Sequence, residues 1–188
     1  MTTPAFAPPP GFEEAARALG LVVAPGPALD PSATFEALGA AIGGGPRPWA
    51  SGSWQGRDVL LVHDGATTTL VRIAPPLGLG LVVAPHEPGD VDRPAPIGYP
   101  PFDERLVARG DDHARIVELL APKRLDGMSS ADQLVALATR PYRVQVTDSW
   151  VALGSAGLET DAARLYERLA RSAQIADRLV KKRGFLGR

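Results

Sequence analysis

The sequence predicts an α+β fold: an antiparallel sheet of about seven strands, two helices set between the fifth strand and a final hairpin, and a long C-terminal helix. Three observations carry this. From residue 48 to 85 apolar side chains recur at every second position and are punctuated by tight turn signals. YRVQVT and WVALG repeat that period around Asp148-Ser149. From Glu159 to about Lys182 the period becomes helical, with Ala162, Leu165, Leu169, Ala173, Ala176, Leu179 and Val180 on one stripe. Seven strands followed by a helix also admit a partly closed barrel.

Residues 1–10 (MTTPAFAPPP) read as a disordered tail, since proline removes amide donors and fixes φ. Residues 11–183 read as one α+β domain and 184–188 as a flexible basic tail. Phe12, Ala15, Ala16 and Leu19 have the spacing of one helical face, with Gly20 as the stop. A second short helix is expected from Ser32 to Ile42, ended by the glycines at 43–45. WASGSW, RDVLLVH, ATTTLVRI and LGLVVA then read as a four-stranded meander, turning at Gln55-Gly56, Asp64-Gly65 and the APPLG stretch.

LGLVVAP occurs at residues 19–25 and again at 79–85. A structural repeat carries its pattern through a whole supersecondary unit. Here the likeness stops at the heptamer, so the two copies read as separate short strands with different neighbours.

Residues 85–103 hold six prolines and form a long extended connection. ERLVARG follows as a strand, then a helix from about Asp112 to Leu120 capped by Asp111 or Asp112, and another opened by Ser129 or Ser130 and ended by Pro141. Trp49, Trp54 and Trp150 lie on or beside strands, where large aromatics fill a sheet face.

At 188 residues, with 45% apolar and 22% charged side chains, the chain has the makings of a substantial core. The absence of cysteine excludes disulfides, iron–sulfur clusters, thiolate zinc sites and a cysteine nucleophile. No stretch approaches the ~20 apolar residues of a membrane-spanning helix, and no signal peptide is evident, so a soluble cytoplasmic protein is expected. Net charge is −1, but residues 164–188 carry eight basic against two acidic groups, while the rest carries twelve against nineteen. Cations toward a helix C-terminus suit its dipole.

No catalytic constellation is visible. GSW at 52–54 and GSAG at 154–157 lack the spacing of a nucleophile elbow, and the glycines at 43–45 lack the Lys-Ser/Thr of a phosphate loop. His63 reads as a strand-end residue. Asp111, Asp112 and His113 are consecutive, so they cannot all face one ion from a helix, and His86, Glu87, Asp90 and Asp92 lie in the proline-rich connection, where solvation is the default. No metal or cofactor is expected. The basic helix carries only Tyr166 and Phe185 as aromatics, which does not suit nucleic acid.

Phe102-Asp103, Leu106, Val107, Gly110-Asp111, Leu119-Leu120, Pro122 and the YRVQVTDSWVAL hairpin, with Gly52, Trp54, Gly56 and Arg57 upstream, resemble an uncharacterised domain family of bacterial proteins over about residues 48–158. The resemblance implies an α+β domain without an evident catalytic set. Some members look membrane-attached, and this sequence departs from them in lacking a spanning segment.

The expected function is therefore a non-enzymatic protein-binding or scaffold module of the bacterial cytoplasm, a monomer or a homodimer. Trp54, Tyr99, Phe102, Lys181, Lys182, Arg183 and Phe185 are the candidate binding residues. Adjacent exposed tryptophans joined by Tyr99 would make a binding patch, and the basic tail with Phe185 could touch an anionic membrane surface. The alternative is a small-molecule-binding or hydrolase-like domain whose site draws on His86, Asp103 and His113 from the 85–113 region.

Overall fold

A computed structural model of the chain describes residues 10–24, 49–63, 67–86, 94–122, 129–138, 142–155 and 157–186. The tail before Pro10, the helix expected over 32–42, the glycines at 43–45 and the Asp64-Gly65 turn lie outside the described residues. Among those described, the elements in chain order are α1 (Phe12–Ala18), β1 (Val22–Ala24), β2 (Trp49–Trp54), β3 (Arg57–His63), β4 (Thr67–Arg72), β5 (Val82–Pro85), α2 (Pro100–Asp103), β6 (Leu106–Arg109), α3 (His113–Leu120), α4 (Ser130–Ala138), β7 (Tyr142–Thr147), β8 (Trp150–Ser155) and α5 (Ala162–Leu186).

The fold is α+β, with an eight-stranded antiparallel sheet of order β1-β2-β3-β4-β8-β7-β5-β6. The sheet is open, so the barrel arrangement does not form. The eighth strand is the first LGLVVAP copy, whose Val22, Val23 and Ala24 pair with Ser51, Ala50 and Trp49. The expected meander also breaks after three strands: β5 lies between β7 and β6, and the C-terminal hairpin stands beside β4. The reason is local. Residues 73–81 do not make a tight turn; Ile73 N donates to Ser149 O at 2.7 Å and Leu77 N to Asp148 O at 2.9 Å, which commits this crossover to the β7–β8 turn.

The chain forms two compact units, each built from separated stretches: Met1–Thr69 with Ser155–Leu169, and Leu70–Gly154 with Ala170–Arg188. In the first, β2 and β3 pair from Trp49↔Val62 to Trp54↔Arg57. Their two-residue turn has Gln55 at φ 50° and Gly56 at φ 75°, the doubly left-handed turn that matches strand twist. Val59 to Val62 are all buried, as are Phe12, Ala15 and Ala16 of α1 and Leu165 and Leu169 of α5.

In the second unit, β5 pairs with β6 from Val82↔Arg109 to Pro85↔Leu106, and with β7 through Val82↔Thr147 and Val83↔Val146. Its core gathers Phe102, Leu106, Ile116, Leu119, Leu134, Val144, Val146, Leu153, Ile175 and Leu179, so side chains from β5–β8 and every helix of the unit share one apolar cluster. The apolar stripe of α5 is thus spent inside the chain, at Leu165, Leu169, Ile175, Ala176 and Leu179. Arg168 also sits on that buried face.

Candidate functional site

In the second unit, Tyr99 lies on the segment entering α2, where Pro100 occupies the first helical position and Phe102 is fully buried. The Phe102 ring therefore anchors the end of the proline-rich connection. Asp103 Oδ1 accepts from Ile97 N at 2.9 Å and closes that segment on itself. Tyr99 is half-buried and donates its O–H to Asp132 Oδ1 at 2.5 Å.

Asp132 stands in the first turn of α4. Its Oδ2 accepts from Ser129 N and Ser129 Oγ, both at 2.7 Å, while Ser129 Oγ accepts from Asp132 N at 3.1 Å. This is a reciprocal cap, with Asp in the role more often taken by Glu. The bond from Tyr99 holds the Asp132 carboxyl below its ordinary range, helped by Ser129 and the Lys182 charge and opposed by burial. The same bond raises the Tyr99 phenol above its ordinary value, and burial and the Asp132 charge act in the same direction. Lys182 Nζ donates to Ala121 O at 3.2 Å, just past α3. Chemically the cluster is a fastener: both oxygens of Asp132 are engaged, one by a helix cap and one by a phenol.

The first unit holds a second cluster. Trp54 is 5% exposed and meets Tyr166 edge-on, with ring centroids 5.2 Å apart at 76°. Gln55 Nε2 donates to Tyr166 Oη at 3.1 Å, so two adjacent residues of the β2–β3 hairpin hold the ring. Tyr166 remains 47% exposed. Val22, Leu158 and Tyr166 are the large apolar side chains exposed among the described residues, and all three belong to this unit.

The same unit holds a buried polar network. Arg168 contacts Glu159 Oε2 at 2.6 Å and Ser155 Oγ at 2.8 Å, and Glu159 N donates to Thr67 Oγ1 at 2.9 Å. Asp161 opens α5 by accepting from Ala163 N at 2.8 Å.

The expected binding residues are distributed over both units. Trp54 and Trp150 are buried, so no pair of adjacent exposed tryptophans stands among the described side chains. Trp54 and Tyr99 belong to different units. Lys181 is exposed, Lys182 is half-buried on Ala121, and the side chains of Arg183 and Phe185 lie outside the described ones. Asp112 caps α3 by accepting from Arg115 N at 3.1 Å, and His113 is exposed in the first turn. His86 follows β5, its backbone N–H donating to Arg105 O. Among the described residues, no group of three or more His, Asp or Glu side chains could hold a metal ion.

Sequence reasoning missed Asp132, Glu159 and the Arg168 pairing. The Ser129-x-x-Asp132 spacing was a readable cap signal, and an arginine beside Leu165 and Leu169 on an apolar stripe was a readable sign of a buried charge.

No family model and no curated protein matches this chain, which accords with a resemblance to a family lacking an assigned activity. Among solved structures, it is similar to the mycobacterial trehalose monomycolate transport factor A, TtfA, with a TM-score of 0.60 and 14% identity, over 89% of this chain and 92% of that one. At that identity the likeness concerns the fold. No helix among the described residues is long and apolar enough to cross a membrane.

Proposed function

We propose that this chain is a non-enzymatic, cytoplasmic bacterial binding module that docks another protein through its first unit. The observation that carries the reading is Tyr166, an aromatic ring left 47% exposed yet held in one orientation by Trp54 and Gln55. A pre-oriented tyrosine loses little side-chain freedom on binding, which is why such rings dominate interface energetics. Exposed Leu158 and Val22 in the same unit add apolar area. A protein of similar fold is named a transport factor, which is in keeping with a binding role.

The alternative site built on His86, Asp103 and His113 has less support, because the Asp103 carboxylate is engaged by Ile97 N. The test is affinity capture from the source cell's lysate with wild type, Tyr166→Glu, and a Lys181/Lys182/Arg183→Glu variant. Loss of a specific partner in Tyr166→Glu alone supports the reading. Loss only in the basic-tail variant moves the contact to the end of α5, and capture unaffected by either variant overturns both placements.

A further inference from the structure

The second copy of the repeated heptamer ends its backbone hydrogen bonds in an unusual place. Three successive amides, Leu79 N, Gly80 N and Leu81 N, converge on the Asp148 carboxylate, with contacts of 3.0 Å, 2.9 Å and 2.9 Å and a further one of 3.2 Å from Leu79 N to the other oxygen. Gly78 at φ 66° and Gly80 at φ 60° supply the left-handed positions that turn consecutive N–H groups toward one side. In the first copy the equivalent Gly20 and Leu21 amides go instead to the Arg17 and Ala16 carbonyls at the end of α1. The heptamer thus does not itself demand a carboxylate; the setting of the second copy does.

We propose that the Leu79–Leu81 backbone is an oxyanion-binding nest which Asp148 fills as a tethered ligand, and that a free carboxylate takes the same three amides when the Asp148 side chain is withdrawn. Convergent backbone amides carry fixed partial positive charge toward an anion and need little reorganisation to receive one. Gly80 N is exposed and Asp148 only half-buried, so an anion reaches the nest from solvent. Asp111 stands beside Gly80, since a Cβ there would meet its carboxylate at 2.7–2.8 Å. Its like charge opposes any added anion and a multiply charged one most, so a monocarboxylate is the ligand class rather than phosphate. The site is independent of the docking role proposed for the first unit.

Full-length Asp148→Ala is the test, with formate as the probe and sodium chloride at matched ionic strength as the control. The expected result is a saturable rise in the variant's melting temperature with formate, absent in the wild type, and formate-dependent shifts of the Leu79, Gly80 and Leu81 amide resonances. Equal responses to formate and chloride, or amide resonances that stay fixed, overturn the proposal. A response to phosphate exceeding that to formate keeps the nest but overturns the monocarboxylate assignment. If Asp148→Ala does not fold, Asp148→Ser, which keeps a turn-compatible side chain, is read by the same resonances and the same criteria.

Discussion

Tyr99 and Asp132, 33 positions apart, are joined by a 2.5 Å hydrogen bond that ties the end of the proline-rich connection to the first turn of α4. The bond favours the ionised carboxyl and the neutral phenol, so its contribution to stability spans the pH range between their two titrations.

The sign for each group follows from linkage. Asp132 is lowered from 3.8, so its contribution is present above 3.8 and is lost as pH falls through the depressed folded value. Tyr99 is raised from 10.0, so its contribution is present below 10.0 and is lost as pH rises through the elevated folded value. Tyr99→Phe is expected to melt lower than wild type at pH 7, with the gap narrowing at both extremes. Melting temperatures of the two proteins across pH 3 to 11, in about six steps, check this; a gap independent of pH contradicts it.

The Arg168–Glu159 pair, with side chains 5% and 10% exposed, predicts an asymmetric response to mutation. Removing one partner strands a buried charge and costs about 3–5 kcal/mol, whereas replacing both with apolar residues of similar volume is far milder. Arg168→Met and Glu159→Leu are each expected to lower the urea midpoint sharply, and the double variant to recover most of the loss. A double variant as unstable as the sum of the singles refutes the assignment.

Gly110 and Gly56 separate crowding from backbone strain. A Cβ on Gly110 would lie 2.6 Å from both Leu79 O and Ile116 Cδ1, whereas one on Gly56 meets nothing within 4 Å but sits at φ 75°. Gly110→Ala is expected to cost about 1–3 kcal/mol through overpacking, and Gly56→Ala about 1–2 kcal/mol through the left-handed backbone. Enlargement discriminates them: Gly110→Val is expected to worsen the loss strongly, and Gly56→Asn to relieve it, as equilibrium unfolding would record.

Ser129→Ala removes one half of the reciprocal cap and is expected to cost about 1 kcal/mol. Amide exchange should quicken in the first turn of α4 while the α3 amides keep their protection. Uniform acceleration through both helices would instead mean that Ser129 supports the whole unit.

Period and turn chemistry made most elements legible. Gln55-Gly56, Asp148-Ser149 and the α5 stripe each declare a local structure that the fold keeps. Strand order was not legible, because LGLVVA is equally suited to lie beside β4 or between β7 and β6; the choice rests on where five backbone donors of residues 73–81 find acceptors, and these are Asp148 and Ser149, far along the chain. The identical heptamers show the same limit. Both place a positive-φ glycine, a buried leucine and a Val-Val-Ala strand in succession, at 20–24 and 80–84, yet one is an edge strand and the other an interior one. Trp54 and Trp150 were legible as sheet residues, and both are buried.

Thr67 accepts the Glu159 amide across 92 positions, and the first unit closes only with Ser155–Leu169. As the chain leaves the ribosome, its first 69 residues must therefore wait for about a hundred more before their own complement arrives. At about 5–20 residues per second that interval is about 5–20 seconds. Non-local closure of this kind slows folding, because the entropy of closing the long loop is lost before the contacts of Ser155–Leu169 reward it.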